Sequence, residues 1–264
     1  MDKTELGARR DAAAAIAVEA AALAAWMREE GGGVGRLKGP QDFVTEADGA
    51  TEAFIRDQLA KAYPGEAVMG EEMGGSTEAS GLLWVVDPID GTSNFARGSD
   101  RWCVSIGLVR DGRAVAGAIA RHAPAEVFAA AEGCGATLNG QPIHAAPTTD
   151  MTRAIIELGW SRRVPTTAFI ALAGRVMAGG AAMRCGGSGS LGLVETAVGR
   201  LDAYLELHIN SWDAAAALAI AREAGCWTNA FDSGDWLAHG NPVGFGAPGL
   251  AGALERLLDE AQNR

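Results

Sequence analysis

Apolar and polar positions give the chain two successive rhythms. From Thr4 to Glu30, alanine, leucine and isoleucine recur at helical spacing, and Gly31-Gly32-Gly33 closes the run, as glycine does where helices stop. A second helical pattern runs from about Asp48 to Tyr63 and meets Pro64-Gly65. Between these helices the segment around Lys38-Gly39-Pro40 reads as a loop. Ala67-Val68-Met69 reads as a short strand entering Gly70-Glu71-Glu72. Gly74 to Gly81 is a polar loop, and Leu82 to Val86 is an apolar run of the length of a buried strand.

From Cys103 to Ile143 the period shortens. Cys103–Arg110, Arg113–Ala120 and Glu126–Ala131 alternate or run apolar, separated by turns at Asp111-Gly112, Ala123-Pro124, Glu132-Gly133 and Asn139-Gly140. This predicts an antiparallel meander of hairpins. Ala145-Ala146-Pro147-Thr148 is the expected boundary. Beyond it strands (Ala154–Leu158, Ala182–Cys185, Asp202–Leu205, Val243–Phe245) alternate with helices (Thr166–Ala178, Ser188–Gly199, Asp213–Ala224, Pro248–Gln262). The fold class read from these elements is α/β. Residues 1–147 are expected to form an N-terminal half with an antiparallel sheet and residues 148–264 an α/β C-terminal half.

Composition narrows the function. A chain of 264 residues, 48% of them apolar, builds a substantial core. A formal net charge of −11 disfavours nucleic acid and anionic membrane as partners. An anionic substrate then requires bound cations to reverse the local sign. Met1-Asp2-Lys3-Thr4-Glu5 has no basic stretch leading into an apolar one, and the Ala-rich segment carries Glu19, so a cytoplasmic protein is expected. Cys103, Cys134, Cys185 and Cys226 are far apart in sequence and form no zinc spacing. They read as small buried residues.

The chemistry gathers in carboxylates at element ends. In Trp84-Val85-Val86-Asp87-Pro88-Ile89-Asp90-Gly91-Thr92-Ser93-Asn94-Phe95 the strand stops at Asp87, Asp90 follows, and Gly91-Thr92-Ser93 opens a short helix. Asp-Pro and Asp-Gly are also turn dipeptides. However, hard oxygen ligands beside helix-start amides suit a divalent cation together with a phosphate. Gly70-Glu71-Glu72 follows a strand directly, although paired glutamates also occur on solvated faces. In Asp42-Phe43-Val44-Thr45-Glu46-Ala47-Asp48, Thr45 or Asp48 also suits a helix N-cap. In Ser211-Trp212-Asp213-Ala214-Ala215, Asp213 also suits the helix dipole. Such positions can converge on one sheet rim, where clustered carboxylates call for divalent cations.

Gly187-Ser188-Gly189-Ser190-Leu191-Gly192 fits the dinucleotide fingerprint G-x-G-x-x-G, with Glu206 at a distance suited to a ribose. Too little chain follows it for a two-half nucleotide fold, and such a turn equally lets a substrate approach backbone. A dinucleotide-binding oxidoreductase is thus the rival from another class, and a non-catalytic metal-binding protein a second. His122, His144, His208 and His239 are scattered and read as structural or surface residues.

Taken together, these carboxylate motifs resemble the inositol monophosphatase family of Mg²⁺-dependent, lithium-sensitive phosphatases. Weaker similarity extends over nearly the whole chain, including Gly135-Ala136-Thr137-Leu138-Asn139-Gly140 and Arg222-Glu223-Ala224-Gly225. The resemblance implies the family's fold, an α+β layered sandwich of alternating helix and sheet layers with the active site between the two halves, and two or three Mg²⁺ ions. Glu71, Asp87 and the Ile89 carbonyl would hold one ion. Asp87, Asp90 and Asp213 would hold another, and Glu71 would help with a third. It implies that Asp48 and Thr92 orient and deprotonate the attacking water. Gly91 and Thr92 would present amides to the phosphate, with Lys38 approaching it or its third metal. Ser188, Gly189, Glu206 and Ser161 would touch the alcohol.

The implied activity is hydrolysis of a small phosphate monoester by a homodimer, with inositol 1-phosphate the leading substrate and L-histidinol phosphate the alternative. Nucleotide phosphates, fructose 1,6-bisphosphate and NADP are further options. Departures from the pattern lie off the ligands. Asn210 stands where the family's His precedes Trp-Asp, Gly225-Cys226 replaces Gly-Gly, and Arg121-His122-Ala123-Pro124 replaces a Tyr-Asp-Pro turn. They bear on substrate choice.

Overall fold

The structure is a computed structural model. It describes residues 1–32, 35–39, 42–75 and 81–262; of residues 32, 36–39, 42 and 43 only the backbone is described. Helix α1 (Lys3–Met27) starts at Asp2, whose side chain accepts from Glu5 N while Glu5 answers Asp2 N, a reciprocal cap. It passes into a wider turn over Arg28–Gly32. The expected loop around Lys38 contains a hairpin, β1 (Arg36–Gly39) with β2 (Asp42–Val44). Helix α2 (Glu46–Ala62) begins two residues before Asp48, which sits in its first turn with Thr45 as N-cap. Strand β3 (Ala67–Gly70) is followed by β4 (Leu82–Asp90) and the short α3 (Thr92–Ala96).

The meander is β5 (Cys103–Arg110), β6 (Arg113–Arg121), β7 (Glu126–Ala131), β8 (Ala136–Leu138) and β9 (Gln141–Pro142). Then come β10 (Ile155–Leu158), α4 (Thr166–Ala178), β11 (Ala182–Arg184), α5 (Gly189–Ala197) and β12 (Ala203–Ile209). The chain closes with α6 (Ser211–Glu223), β13 (Trp227–Thr228), α7 (Trp236–His239), β14 (Asn241–Gly246) and α8 (Ala251–Gln262).

A seven-stranded sheet runs β3-β4-β5-β6-β7-β8-β9, and a five-stranded sheet runs β11-β10-β12-β14-β13. Strand alternation assigns the layers. In β4, Trp84 and Val86 pack with Ala17, Ala20, Ile55 and Leu59 of α1 and α2. Leu83 and Val85 face the other way, toward Leu191 and Leu193 of α5 and the alanines of α6. The far face of the second sheet is covered by Leu172 and Val176 of α4 and Leu254 and Leu258 of α8. The order is helices, sheet, helices, sheet, helices, the layered α/β class expected.

The central layer is unusually close to the first sheet. Gly107 pairs with Gly117 across β5 and β6. A Cβ at Gly107 would lie 2.8 Å from Ala215 Cβ, and one at Gly117 would lie 2.6 Å from Ala216 Cα. Glycines in the sheet and alanines on α6 thus bring the helix down onto the strands, and the start of α6 reaches the ends of β4 and β5. Ser105 Oγ donates to Trp212 O at 3.3 Å, and Ser190 Oγ to Asp213 O at 2.7 Å.

Strand β4 corrects the expectation that the strand stops at Asp87. It continues to Asp90, with a register break between Asp87 and Asp90 against β5. Pro88 has no N–H for the ladder, so the strand bulges there instead of ending. The cysteines also differ from expectation: Cys103 is buried and Cys226 half-buried, but Cys134 and Cys185 are exposed. Among the described residues no helix is long and apolar enough to cross a membrane.

Candidate active site

The bulge in β4 sets the centre of the site. It turns Asp87 and Asp90 toward the first turn of α6, and the carboxylates of Asp87, Asp90 and Asp213 come within 4.8 Å of one another. Asp87 Oδ1 accepts the Ile89 amide at 2.9 Å, while Asp87 Oδ2 is buried and receives no donor among the described residues. Asp213 Oδ2 accepts the Asn210 amide at 3.1 Å. Burial, then the neighbouring carboxylates Glu71, Asp90 and Asp213, push Asp87 well above the usual carboxylate range. Burial and then Asp90 raise Asp213 to about 7. Three clustered acids, one with an orphaned oxygen, are all hard donors and fit a divalent cation. Asp87, Asp90 and Asp213 are the side chains that would hold it.

This arrangement predicts how metal-free protein responds to pH. Asp213 has an ordinary value of 3.8 and a folded value of about 7. Between these values the folded chain holds a proton that the unfolded chain has released, so raising the pH favours unfolding. The Tm of chelator-treated protein should fall as pH rises across that interval, and Mg²⁺ at pH 7 should restore it. A scanning-fluorimetry series checks both; a Tm that climbs toward pH 7 without metal would contradict the geometry.

Asp48 approaches the same rim from α2. Thr45 N and Thr45 Oγ1 donate to its Oδ2 at 2.7 and 2.6 Å. Thr92 Oγ1 lies 3.3 Å from Asp48 Oδ1 and 3.0 Å from Ile89 O. Burial raises the Asp48 carboxyl to about 6, against the pull of the Thr45 hydrogen bonds. Gly91 has a φ of 91°, left-handed backbone that lets β4 turn directly into α3. A side chain there would also collide, because a Cβ would sit 2.9 Å from Arg101 O and 3.1 Å from Ser188 Cβ.

Glu71 is positioned by a residue the sequence does not reveal. Glu52 is wholly buried on α2, and its carboxylate accepts the Glu72 and Met73 amides at 2.7 and 3.2 Å. A Cβ at Gly70 would lie 2.2 Å from Glu52 Oε1, so only glycine fits before Glu71. Arg56, one turn on, neutralises Glu52 at 2.8 Å. Glu71 lines the cavity with Asp213. Lys38 lies in β1, and its side chain is outside the described part of the structure.

A cavity leads away from the acids in two adjoining compartments. One, about 540 Å³, is lined by Glu71, Ser161, Arg163, Glu206, His208 and Asp213. The other, about 280 Å³, includes Asp90, Cys185, Ser188, Gly189 and Glu206. Trp160 borders both. Arg163, Trp160 and His208 carry no motif that would have singled them out. Tyr204 donates to Glu206 Oε2 at 2.6 Å, and burial raises Glu206 to about 8. The glycine-rich turn opens α5 as expected, but its donors point inward. Ser188 Oγ, Gly189 N (3.3 Å) and Ser190 N (2.8 Å) all donate to Asp90.

Comparison with known proteins agrees with this architecture. The profile of the Inositol monophosphatase family matches residues 1–262. An inositol-1-monophosphatase of Mycobacterium leprae is 36% identical over 93% of this chain and 91% of its own. A protein named Nus factor SuhB from Xylella fastidiosa is 36% identical over 75% of this chain and 72% of its own. The crystal structure of the extragenic suppressor protein SuhB of Bartonella henselae superposes with a TM-score of 0.87 at 29% identity, covering 96% of this chain and 99% of that one. Layered fold and buried acid cluster together define a metal-dependent hydrolase class. The chain belongs to the inositol monophosphatase family, and it is a phosphatase acting on small phosphate monoesters.

Proposed function

We propose that the chain hydrolyses inositol 1-phosphate or a close analogue with Mg²⁺, by direct attack of water on phosphorus. One observation carries the reading: Thr92 links Asp48 to the Ile89 carbonyl, between Asp87 and Asp90, whose carboxylates cluster with Asp213 beside a cavity lined by Glu71 and Glu206. Glu71, Asp87, Asp90, Asp213 and the Ile89 carbonyl would hold Mg²⁺, which supplies charge neutralisation, an acidified water and stabilisation of the leaving oxygen. Thr92 Oγ1 donates to Asp48 and turns a lone pair to the attacking water. Asp48 then takes the proton through this pair. The Gly91 and Thr92 amides, at a helix start, face the equatorial phosphate oxygens. Glu206 and the Ser188–Gly189 turn border the alcohol. No side chain need become phosphorylated.

The test is phosphate release by purified protein with Mg²⁺. The panel holds inositol 1-phosphate, histidinol phosphate, fructose 1,6-bisphosphate, 3′-phosphoadenosine 5′-phosphate and NADP, each with and without lithium. The expected result is a clear preference for inositol 1-phosphate, loss of activity with chelator, and inhibition by lithium. Preference for histidinol phosphate would reassign the substrate while keeping the mechanism. Release independent of metal would overturn the mechanism.

A further inference from the structure

Asp90 is held by a loop from the other half of the chain. Ser188, Gly189 and Ser190 precede or open α5, yet all three donate to a carboxylate at the end of β4. What seats that loop is therefore as relevant to Asp90 as the loop itself. Two side chains of the segment after β4 do so. Asn94 Nδ2 lies 2.9 Å from Arg101 O, 3.0 Å from Gly186 O and 3.3 Å from Gly187 O. The Arg101 guanidinium lies on Gly186, where an added Cβ would come within 2.1 Å of Arg101 Nε.

That guanidinium is itself fixed from two directions. Arg101 Nη2 lies 2.7 and 2.6 Å from the two oxygens of Glu157, a buried residue of β10. Arg101 Nη1 donates to Glu195 Oε2 on α5 at 3.0 Å. One fork thus joins the second sheet, the helix that the loop opens and the segment after β4. A lysine, with a single charged nitrogen, cannot hold both acids in this way. Removing the fork would leave Glu157 buried without its cation.

We propose that Arg101 is a positioning residue for Asp90: through Glu157 and Glu195 it seats the 186–190 loop against Gly91, and so fixes the carboxylate that meets Asp87 and Asp213. The inference rests on the cation-dependent reading of the site. Partners that orient a ligand from behind typically change metal affinity or activity by about 10–100-fold.

The test uses Arg101→Met, Arg101→Lys and Asp90→Asn in the full chain. Calorimetric titration of chelator-treated protein with Mn²⁺ is read beside kcat, KM and Tm. Arg101→Met should weaken Mn²⁺ binding and lower kcat by about tenfold or more, and Arg101→Lys should recover part of both. Full wild-type Mn²⁺ affinity and kcat in folded Arg101→Met, even with a lower Tm, would overturn the proposal. Should Arg101→Met not fold, Glu195→Gln carries the same test: it removes one anchor charge, and weakened Mn²⁺ binding supports the proposal while unchanged binding overturns it. Asp90→Asn separates the two readings. If it binds Mn²⁺ as wild type does, the site reading fails. If it loses binding while Arg101→Met keeps it, only the positioning role fails.

Discussion

Asp87→Asn should remove phosphatase activity by more than about a thousandfold while making the metal-free chain more stable. Both effects follow from one oxygen. Asp87 Oδ2 is buried without a donor and shares its surroundings with Glu71, Asp90 and Asp213. An asparagine keeps an acceptor for the Ile89 amide, now held at 2.9 Å, and brings an N–H₂ to face Asp213. The substitution replaces an acid that must keep its proton to stay buried with an amide that is neutral at every pH, so the apo Tm at and above neutral pH should rise by several degrees. On the proposed assignment it also removes a ligand whose charge the cation needs. Metal-derived stabilisation of the transition state is worth several kcal/mol, at 1.36 kcal/mol per tenfold in rate. The check is paired: initial rates at saturating Mg²⁺, and Tm with chelator and with Mg²⁺. The Mg²⁺-dependent rise in Tm should shrink or vanish in the variant. Activity retained within tenfold would remove Asp87 from the ligand set.

Much of this site can be read from the chain because its acids sit where elements begin or end. Asp87 and Asp90 close an apolar run, Asp213 opens an alanine-rich helix, and Asp48 opens another. Local pattern locates such positions, since a strand end or helix start is a short-range event. What local pattern cannot locate is the support. Glu52 fills the space that a side chain at position 70 would need. Arg101 meets Glu157 and Glu195 from 56 and 94 positions away. Neither partnership leaves a periodic signal. The continuation of β4 through Pro88 is hidden for a different reason. Proline predicts an interruption, and the sheet absorbs the interruption as a bulge. The α6 alanines have the same lesson in reverse. They look like generic helix formers until Gly107 and Gly117 show how closely the helix must lie.

Asp48→Asn should lower kcat by about 10²–10⁴-fold with little change in KM, the size expected for loss of a positioned base. Asp48 is suited to that task by conflicting influences. Burial raises it to about 6, and the two Thr45 hydrogen bonds hold it down. In the role of base proposed for it, Asp48 must be ionised, so the rate should rise with pH as it loses its proton. Bound cations favour the ionised form, which places the limb at or below about 6 in the metal-loaded enzyme. Thr45→Val removes the hydroxyl donor 2.6 Å from Oδ2 but leaves the backbone donor. A hydrogen bond to a charged group is worth about 1.5–3 kcal/mol, so the acidic limb of kcat should move up by about one to two pH units. Thr92→Ala should resemble Asp48→Asn in kcat, whereas Thr92→Ser should recover most of the rate because it restores the hydroxyl. The distinguishing measurement is the pH–kcat profile of Thr45→Val at saturating Mg²⁺. A limb that stays in place while the rate falls would assign Thr45 to the helix cap alone and take the base role away from Asp48.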